Sequence, residues 1–292
     1  MSISGEVSIS KIYVIQSLRD EDIKTAHEVF RDVLTAPGAG ISFPPANYFE
    51  CTSRSTLRSV IDRIVDDVLP NGAPFLHLEA HGSDTGLRMK NGDFLKWDEF
   101  LRELRLVNMV SKHRLNLFMP TCHGIRAFTG TKFSDRASFV NLVAPADAIS
   151  GGAVRDAVPE FYRYLFNYKV IRLAIEAVNQ QLRNEEHLQF ISTDKLFLVA
   201  FANYIRTYTS ARARVRRAEE IMTEVWADLS VQAAFGEIGS ARKWVKQKLA
   251  GPEENHFDDV SRRFFWRDVF ESAEERTGVT FEAALKLAKA TS

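Results

Sequence analysis

A chain of 292 residues is long enough to bury a substantial core, as one large domain or as one domain with an appendage. Hydrophobic residues make up 45% of the chain and charged residues 26%, which is typical of globular proteins. The 38 basic residues balance 38 acidic residues, so net charge offers no argument for nucleic acid, a membrane surface or a polyanionic partner.

The chain contains only two cysteines, Cys51 and Cys122, which are too few for a disulfide framework. Its first ten residues, MSISGEVSIS, lack the basic and then apolar pattern of a secretory signal, and no apolar run is long enough to cross a bilayer. These features predict a cytoplasmic protein with reduced thiols and no membrane contact. Nothing in the sequence predicts a metal or a cofactor.

Short apolar segments alternate with amphipathic helical segments over the first two hundred residues, a pattern typical of a parallel α/β fold. Strands are predicted over residues 11–18, 47–51, 74–80, 115–119 and 139–143. A further apolar segment, 196–205, predicts either a last strand or a buried helix. Helices are predicted over residues 20–35, 53–69, 98–112 and 154–183, the last with a break near Asn167. The pair Asn91-Gly92 predicts a hairpin turn.

Only helical patterns remain after about Thr209. The spacing predicts helices near residues 215–229, 240–250, 258–276 and 281–290, the last capped by Thr280. We therefore predict a sheet domain over residues 10–207 and an all-α C-terminal extension over 208–292. The basic run at 212–217 is interpreted as a solvated helix face, and the aromatic residues near 257–270 as a face that packs on the sheet domain or binds a partner.

Two reactive side chains stand at the ends of predicted strands. His81 follows the strand 74–80 and precedes Gly82, and Cys122 follows the strand 115–119 and lies two residues before Gly124. In an open parallel sheet, chemistry gathers beyond the carboxyl ends of the strands, and consecutive strands are usually neighbours. We therefore expect the imidazole and the thiol to face each other at one edge of the sheet.

This pair of residues is typical of nucleophilic catalysis. A histidine can take the proton of a nearby thiol and later return it to a leaving amine. The backbone N–H groups of Gly82 and Cys122 would form a two-donor oxyanion hole. The alternative is structural, because free cysteines are usually buried and a histidine on an apolar strand is usually a hydrogen-bonded core residue. We place Cys51 and His77 in that class.

The segments HLEAHGSDTG and LNLFMPTCHG together resemble the His-Gly and Cys-x-Gly blocks of the caspase-like cysteine peptidases. That group includes caspases, metacaspases, separases, gingipains and bacterial CHAT-domain proteases. The downstream segment FVNLVAPADAISGGAVRDAVPEFYRYLFN is similar to the part of CHAT-type members that follows the nucleophile. The resemblance covers roughly residues 10–205, whereas the helical extension resembles no family.

This resemblance implies a caspase-like fold, a mostly parallel sheet flanked by helices. It also implies that His81 is the general base and acid, Cys122 the nucleophile and Gly82 an oxyanion donor. The resemblance also implies a regulated effector that cuts a protein or peptide substrate. Its activity would be controlled by a sensor or regulatory protein, as in prokaryotic stress or antiphage defence.

Specificity departs from the caspase pattern. Caspases carry Gln-Ala-Cys at the nucleophile, whereas this chain has Pro120-Thr121-Cys122, so a preference for aspartate is not expected. Asp147 and Asp84 are the nearest acidic candidates, and a buried carboxylate there would select arginine or lysine at P1. The alternative is that each caps a turn.

The loop after Cys122 carries three basic residues that are candidates for self-cleavage if P1 is basic: Arg126, Lys132 and Arg136. Otherwise they are solvated loop charges. Glu79 shares one side of its strand with His77 and His81, so it either orients an imidazole or pairs with an arginine. His123 is expected to point away from the site.

The sequence therefore predicts a cysteine endopeptidase. One alternative is a catalytically silent scaffold that keeps the fold and binds a protein partner through its helical extension. Another is thiol-dependent hydrolysis of a small amide, which would require a closed pocket where a peptidase needs an open groove.

Overall fold

The structure is a computed structural model that describes residues 7–35, 43–69, 71–209, 211–249, 253–270 and 279–290. Its strands are β1 Lys11–Ser17, β2 Ala46–Glu50, β3 Pro74–Ser83, β4 Gly86–Arg88, β5 Phe94–Lys96, β6 Asn116–Phe118, β7 Asn141–Pro145 and β8 Leu188–Ser192. They form a mixed sheet with the order β2-β1-β3-β6-β7-β8. All neighbours on this path pair in parallel except β8, which is antiparallel to β7.

The helices are α1 Thr25–Val29, α2 Arg54–Asp67, α3 Trp97–Val110, α4 Gly151–Tyr168, α5 Ile171–Asn179, α6 Thr193–Tyr208, α7 Ala211–Val225, α8 Leu229–Phe235, α9 Ile238–Leu249, α10 Glu253–Phe264 and α11 Phe281–Ala290. A wider helical turn, Phe30–Leu34, continues α1, and a 3₁₀ helix, Gly124–Gly130, follows the β6 region. Within the described ranges no helix is long and apolar enough to cross a membrane.

Both faces of the sheet are covered. One face buries apolar side chains against α2 and α3, and the other buries them against α1, α4 and α5. A third cluster joins α6, α10 and α11 to the loop after the 3₁₀ helix; its buried residues are Ala137, Phe197, Phe201, Phe257, Phe264, Phe265, Val279 and Ala284. A smaller fourth cluster, on α7 and α9, consists of Ala218, Met222, Ala241 and Val245.

The α/β class, the mostly parallel sheet and the C-terminal helices are confirmed. The hairpin at Asn91-Gly92 is confirmed between β4 and β5, with Gly92 at a φ of 93°. The predicted break in the long helix is present at Lys169, whose φ is 55°. The Thr280 side chain accepts a hydrogen bond from the Ala283 amide at 3.2 Å, as predicted for a cap.

Other boundaries were wrong. The helix predicted over 20–35 begins only at Thr25, which leaves residues 18–24 as a loop at the end of β1. The apolar segment 196–205 is part of helix α6, and the last strand is β8 just before it. Helix α10 ends at Phe264, and residues 271–276 of the predicted helix 258–276 lie outside the described residues. The predicted division at 207/208 falls at the end of α6 and stays a prediction.

Candidate active site

The register between β3 and β6 has the same spacing that separates His81 from Cys122. His77 pairs with Phe118, 41 residues later, and His81 and Cys122 are also 41 residues apart. Strand β3 continues past its pairing with β6, because β4 pairs antiparallel with its last three residues. Beyond β6 the pairing no longer sets the position of Cys122, but His81 and Cys122 line the same cavity.

After β6 ends, the segment that follows it stays beside β3. Pro120 has no N–H to donate to a ladder, so regular pairing ends before it. Side-chain hydrogen bonds of Thr121 to β3 take the place of the main-chain pairing. Its hydroxyl donates to the Leu78 carbonyl at 3.2 Å and accepts from the Ala80 amide at 3.4 Å. This contact holds the segment that carries Cys122 beside β3.

Gly82 lies against the backbone of Cys122. A Cβ at this position would overlap the carbonyl oxygen of Cys122 and approach Cγ2 of Thr121 to 2.7 Å. Only a glycine allows β3 and the Cys122 segment to come so close. In the described part of the chain the Cys122 amide donates to no acceptor, whereas the next amide, that of His123, donates to the Asp147 carbonyl at 2.9 Å. The Cys122 N–H is thus available to an oxyanion.

The Cys122 sulfur is half-buried and lies at the loop that leads into α4. The Ile149 amide approaches Sγ at 3.4 Å, and Sγ lies 3.5 Å from the Ile149 carbonyl. Helix α4 begins two residues later with Ser150 as its N-cap, whose Oγ accepts from the Ala153 amide. The sulfur therefore contacts the main chain of Ile149 just before helix α4 begins.

A buried carboxylate fixes this loop. Glu186 is 4% exposed, and its Oε1 accepts a hydrogen bond from the Ser150 amide at 3.0 Å. Hydrogen bonds from Arg183 and then from Ser150 lower the pKa of Glu186 to about 2. The loop beside the sulfur is therefore held by an ionised group, which no local pattern in the sequence had indicated.

His81 is anchored by a residue that was not predicted. Its Nε2 lies 2.8 Å from Oδ2 of Asp22, in the loop after β1, and Asp22 Oδ2 also accepts from the Arg19 amide at 2.7 Å. Partial burial would raise the pKa of Asp22, but hydrogen bonds from His81 and Arg19 outweigh it and hold that pKa below its ordinary value of 3.8. With Nε2 donating to Asp22, Nδ1 of the neutral ring is free of a proton and can accept one.

His81 and Cys122 line one cavity of about 310 Å³. The β1–α1 loop, the end of β3, the Cys122 segment and the start of α4 form its walls. The side chains of His81 and Asp22 are 40% and 25% exposed, so the cavity opens to solvent. The other lining residues are Leu18, Glu21, Ile23, Thr25, Glu79, Ala80, Pro120, Thr121, Ile149, Gly151 and Val154.

The two acidic residues proposed for P1 recognition lie outside this cavity. Asp84 sits in the turn between β3 and β4, 70% exposed, where its carboxylate lies 3.4 Å from Nε of Arg126 and 3.5 Å from Nδ1 of His123. Asp147 is exposed, and its contact with the site is the main-chain bond to His123. Both are hydrophilic loop residues whose distance from the site depends on the path of the loop, which the sequence does not reveal.

The three proposed self-cleavage residues differ in surroundings. Arg126 lies in the 3₁₀ helix and pairs with Asp84. Arg136 donates two hydrogen bonds to Asp268, at 2.5 and 2.7 Å, and lies 4.8 Å from the centre of the Trp266 ring. Lys132 is exposed and lies in an irregular segment.

Glu79 orients an imidazole, but it is that of His77 and not that of His81. His77 Nε2 lies 2.9 Å from Glu79 Oε1, and Thr25 donates to the other carboxylate oxygen. The expected pairing with an arginine is wrong: along the described chain the ion-pair partner of Glu79 is His77.

His123 adopts a left-handed conformation, with a φ of 55°, and lines no part of the cavity, as expected. Across the residues that the structure describes, no cluster of three or more His, Cys, Asp or Glu side chains could hold a metal ion.

Comparison with known proteins adds no assignment. No family model matches the chain, and no curated protein matches it.

Proposed function

We propose that this chain is a cysteine endopeptidase in which Cys122 is the nucleophile and His81 is the general base and acid. The observation that carries the proposal is that the Cys122 thiol and the His81 imidazole, which is hydrogen-bonded to Asp22, line one solvent-open cavity. The resemblance of the His-Gly and Cys-x-Gly blocks to caspase-like peptidases supports the same assignment.

In the first half of the proposed reaction, Nδ1 of His81 takes the Cys122 proton, and Sγ attacks the carbonyl carbon of the scissile peptide bond. The oxyanion that forms accepts hydrogen bonds from the Cys122 and Gly82 amides. His81 then gives its proton to the leaving amine, and the C–N bond breaks to leave a thioester on Cys122. Asp22 keeps the imidazole ring oriented in each step.

In the second half, a water molecule replaces the departed amine beside His81. The imidazole takes a proton from this water, the oxygen attacks the thioester carbonyl, and the C–S bond breaks as the proton passes to the sulfur. An acid product leaves and the free thiol is restored. The exposure of His81 supports an extended peptide substrate over a small amide enclosed in a pocket.

The proposal includes control by the C-terminal helices through a protein partner. Trp266 Nε1 donates to the Ala137 carbonyl at 3.0 Å, the Ala137 amide donates to Phe264, and Arg136 pairs with Asp268. The segment after the nucleophile is thus held by the end of α10. A cytoplasmic effector in stress or antiphage defence, regulated by a sensor, remains part of the proposal on the resemblance alone.

Cysteine labelling tests the proposal. Iodoacetamide at pH 7 should modify Cys122 at least about 100-fold faster than Cys51, because only a thiolate reacts and Cys51 is buried. His81→Ala should remove most of this difference. Equal rates in the wild type, or a fast Cys122 that is indifferent to His81→Ala, would argue instead for a silent scaffold.

The substrate can be sought directly. New protein N-termini should accumulate in the native host with the wild-type protein and disappear with Cys122→Ala. Identical sets of N-termini in both strains, under conditions where the labelled thiol is active, would contradict an endopeptidase.

A further inference from the structure

A buried chain of hydrogen bonds runs under the cavity and ends at Glu79. The Tyr162 hydroxyl lies 2.9 Å from His77 Nδ1, His77 Nε2 lies 2.9 Å from Glu79 Oε1, and Thr25 donates to Glu79 Oε2. All four residues are at most 2% exposed. A fully partnered polar chain of this kind fixes the position of its last member.

The donors in this chain point toward Glu79. When Nε2 of His77 carries the ring proton, Tyr162 donates to His77 and His77 donates to Glu79, so that the carboxylate only accepts. Burial, and then the charge of Glu79, raise the pKa of Tyr162 well above its ordinary value, so the hydroxyl keeps the proton that it donates. The Glu79 carboxylate thus accepts hydrogen bonds on both of its oxygens.

Within the described ranges no lysine or arginine pairs with this carboxylate, whose side-chain partners are His77 and Thr25. A cation that enters the cavity would meet a carboxylate that is already held in place by two hydrogen bonds. Glu79 and Thr25 both line the cavity that holds His81 and Cys122.

The cavity walls match a long basic side chain. Three carboxylates, those of Glu21, Asp22 and Glu79, line it, together with no lysine or arginine. Ile23, Ile149 and Val154 supply apolar surface for the aliphatic stem of such a side chain. The volume of about 310 Å³ is at the lower end of ligand pockets and suits a single side chain.

We propose that Glu79 is the specificity-determining residue of this site and selects arginine or lysine at P1, in place of Asp147 or Asp84. This proposal rests on the proposed peptidase function, because it assigns the cavity beside Cys122 to the substrate residue before the scissile bond. The basic head binds Glu79 at the floor, and Asp22 and Glu21 add negative potential nearer the opening.

The test compares two peptides that differ only at P1, one with arginine and one with citrulline, its uncharged isostere. The wild-type protein should cleave the arginine peptide about 10- to 100-fold more efficiently, the range for a charged hydrogen bond. Glu79→Gln should bring the ratio of the two kcat/KM values close to one. The matched control Asp147→Asn, which removes an acidic residue outside the cavity, should leave the ratio as in the wild type.

A binding experiment separates this inference from the proposed function. Calorimetry with butylguanidine and its uncharged analogue butylurea needs no turnover, and the guanidine should bind the wild type more tightly and lose that advantage in Glu79→Gln. Equal binding of the two compounds by the wild type would overturn the role of Glu79, even if Cys122 reacts as a catalytic thiol. Guanidine-selective binding with no cleavage of any peptide would instead overturn the peptidase. A Glu79→Gln protein that still prefers arginine over citrulline would also overturn the inference.

Discussion

The surroundings of the two cysteines make an instructive comparison. Each follows the carboxyl end of a parallel strand, Cys51 after β2 and Cys122 after β6. Cys51 is fully buried, and burial, followed by the charge of Glu50, raises the pKa of its thiol to about 12. Cys122 is half-buried, with its sulfur beside a backbone amide at a solvent-open cavity.

The path of the chain after each strand produces this difference. After β2 the chain enters α2 within three residues, through the Ser53 capping box, and α2 covers Cys51. After β6, Pro120 ends the pairing, and the left-handed His123 turns the chain into the 3₁₀ helix. A position after the end of a parallel strand is therefore not enough to leave a thiol exposed to solvent in this fold.

The sharpest contrast between the two cysteines is in turnover. Cys122→Ala should lower kcat by on the order of 10⁴-fold or more, because the bond-forming atom is lost. Cys51→Ala should leave kcat/KM unchanged and cost roughly 1–2 kcal/mol in the free energy of unfolding, from lost core contacts. Steady-state kinetics and urea unfolding measure the two effects. A Cys122→Ala protein that retains activity would break the comparison.

The imidazole should account for the next largest effect. His81→Ala should lower both kcat/KM and the rate of Cys122 alkylation by about 10²- to 10⁴-fold, the usual contribution of a general base. His123→Asn is the matched control, since asparagine tolerates the left-handed backbone and His123 lies outside the cavity. If His81→Ala and His123→Asn lowered kcat/KM and the alkylation rate equally, proximity of any histidine to the thiol would be the explanation. His81 would then have no particular role.

Asp22 should matter less, because it acts through His81. Asp22→Asn should reduce kcat by about 10- to 100-fold through a misoriented imidazole ring, with little change in KM. Asp84→Asn, at the exposed carboxylate that pairs with Arg126, provides the comparison and should keep wild-type kinetics. An unchanged kcat in Asp22→Asn would remove the carboxylate from the mechanism.

The smallest expected effect is on acid stability. Because the folded-state pKa of Asp22 is below its ordinary value of 3.8, its ionised form stabilises the folded protein. This contribution to stability is fully present above pH 3.8 and is lost as the pH falls through the lower folded-state pKa of Asp22. Asp22→Asn should thus be less stable than the wild type, by less than about 1 kcal/mol, at pH 5, and the deficit should shrink below pH 3.8. Urea unfolding at several pH values would show the trend, and a deficit that grows on acidification would contradict it.

Much of the fold could be predicted because its signals are local. The alternation of strands and helices, the hairpin at Asn91-Gly92 and the cap at Thr280 each depend on a few neighbouring residues. The apolar segment 196–205 was ambiguous for the same reason, since a short apolar run fits either a strand or a buried helix. Its helical form in α6 follows from packing against distant aromatic residues of α10 and α11.

The residues of the candidate site also separate into those with local sequence signals and those without. His81, Gly82 and Cys122 could be found because strand ends and glycines are visible in the sequence. Asp22 could not, because its partner His81 is 59 residues away and the apolar spacing around it predicted a helix. Glu79 could be singled out because it shares one side of its strand with His77 and His81. Packing of α1 on β3 decides its contacts with His77 and Thr25 and its place in the cavity lining.

By itself the sequence determined the class of fold, the two strand ends that carry a thiol and an imidazole, and the spacing that lets them meet. Periodicity, turn residues and strand order encode these features within short stretches of chain. Only the tertiary structure decided which cysteine is covered, which carboxylate holds His81 and which acidic residues line the cavity. Those outcomes depend on loops that bring together residues far apart in the chain, and loop paths follow from packing and not from local pattern.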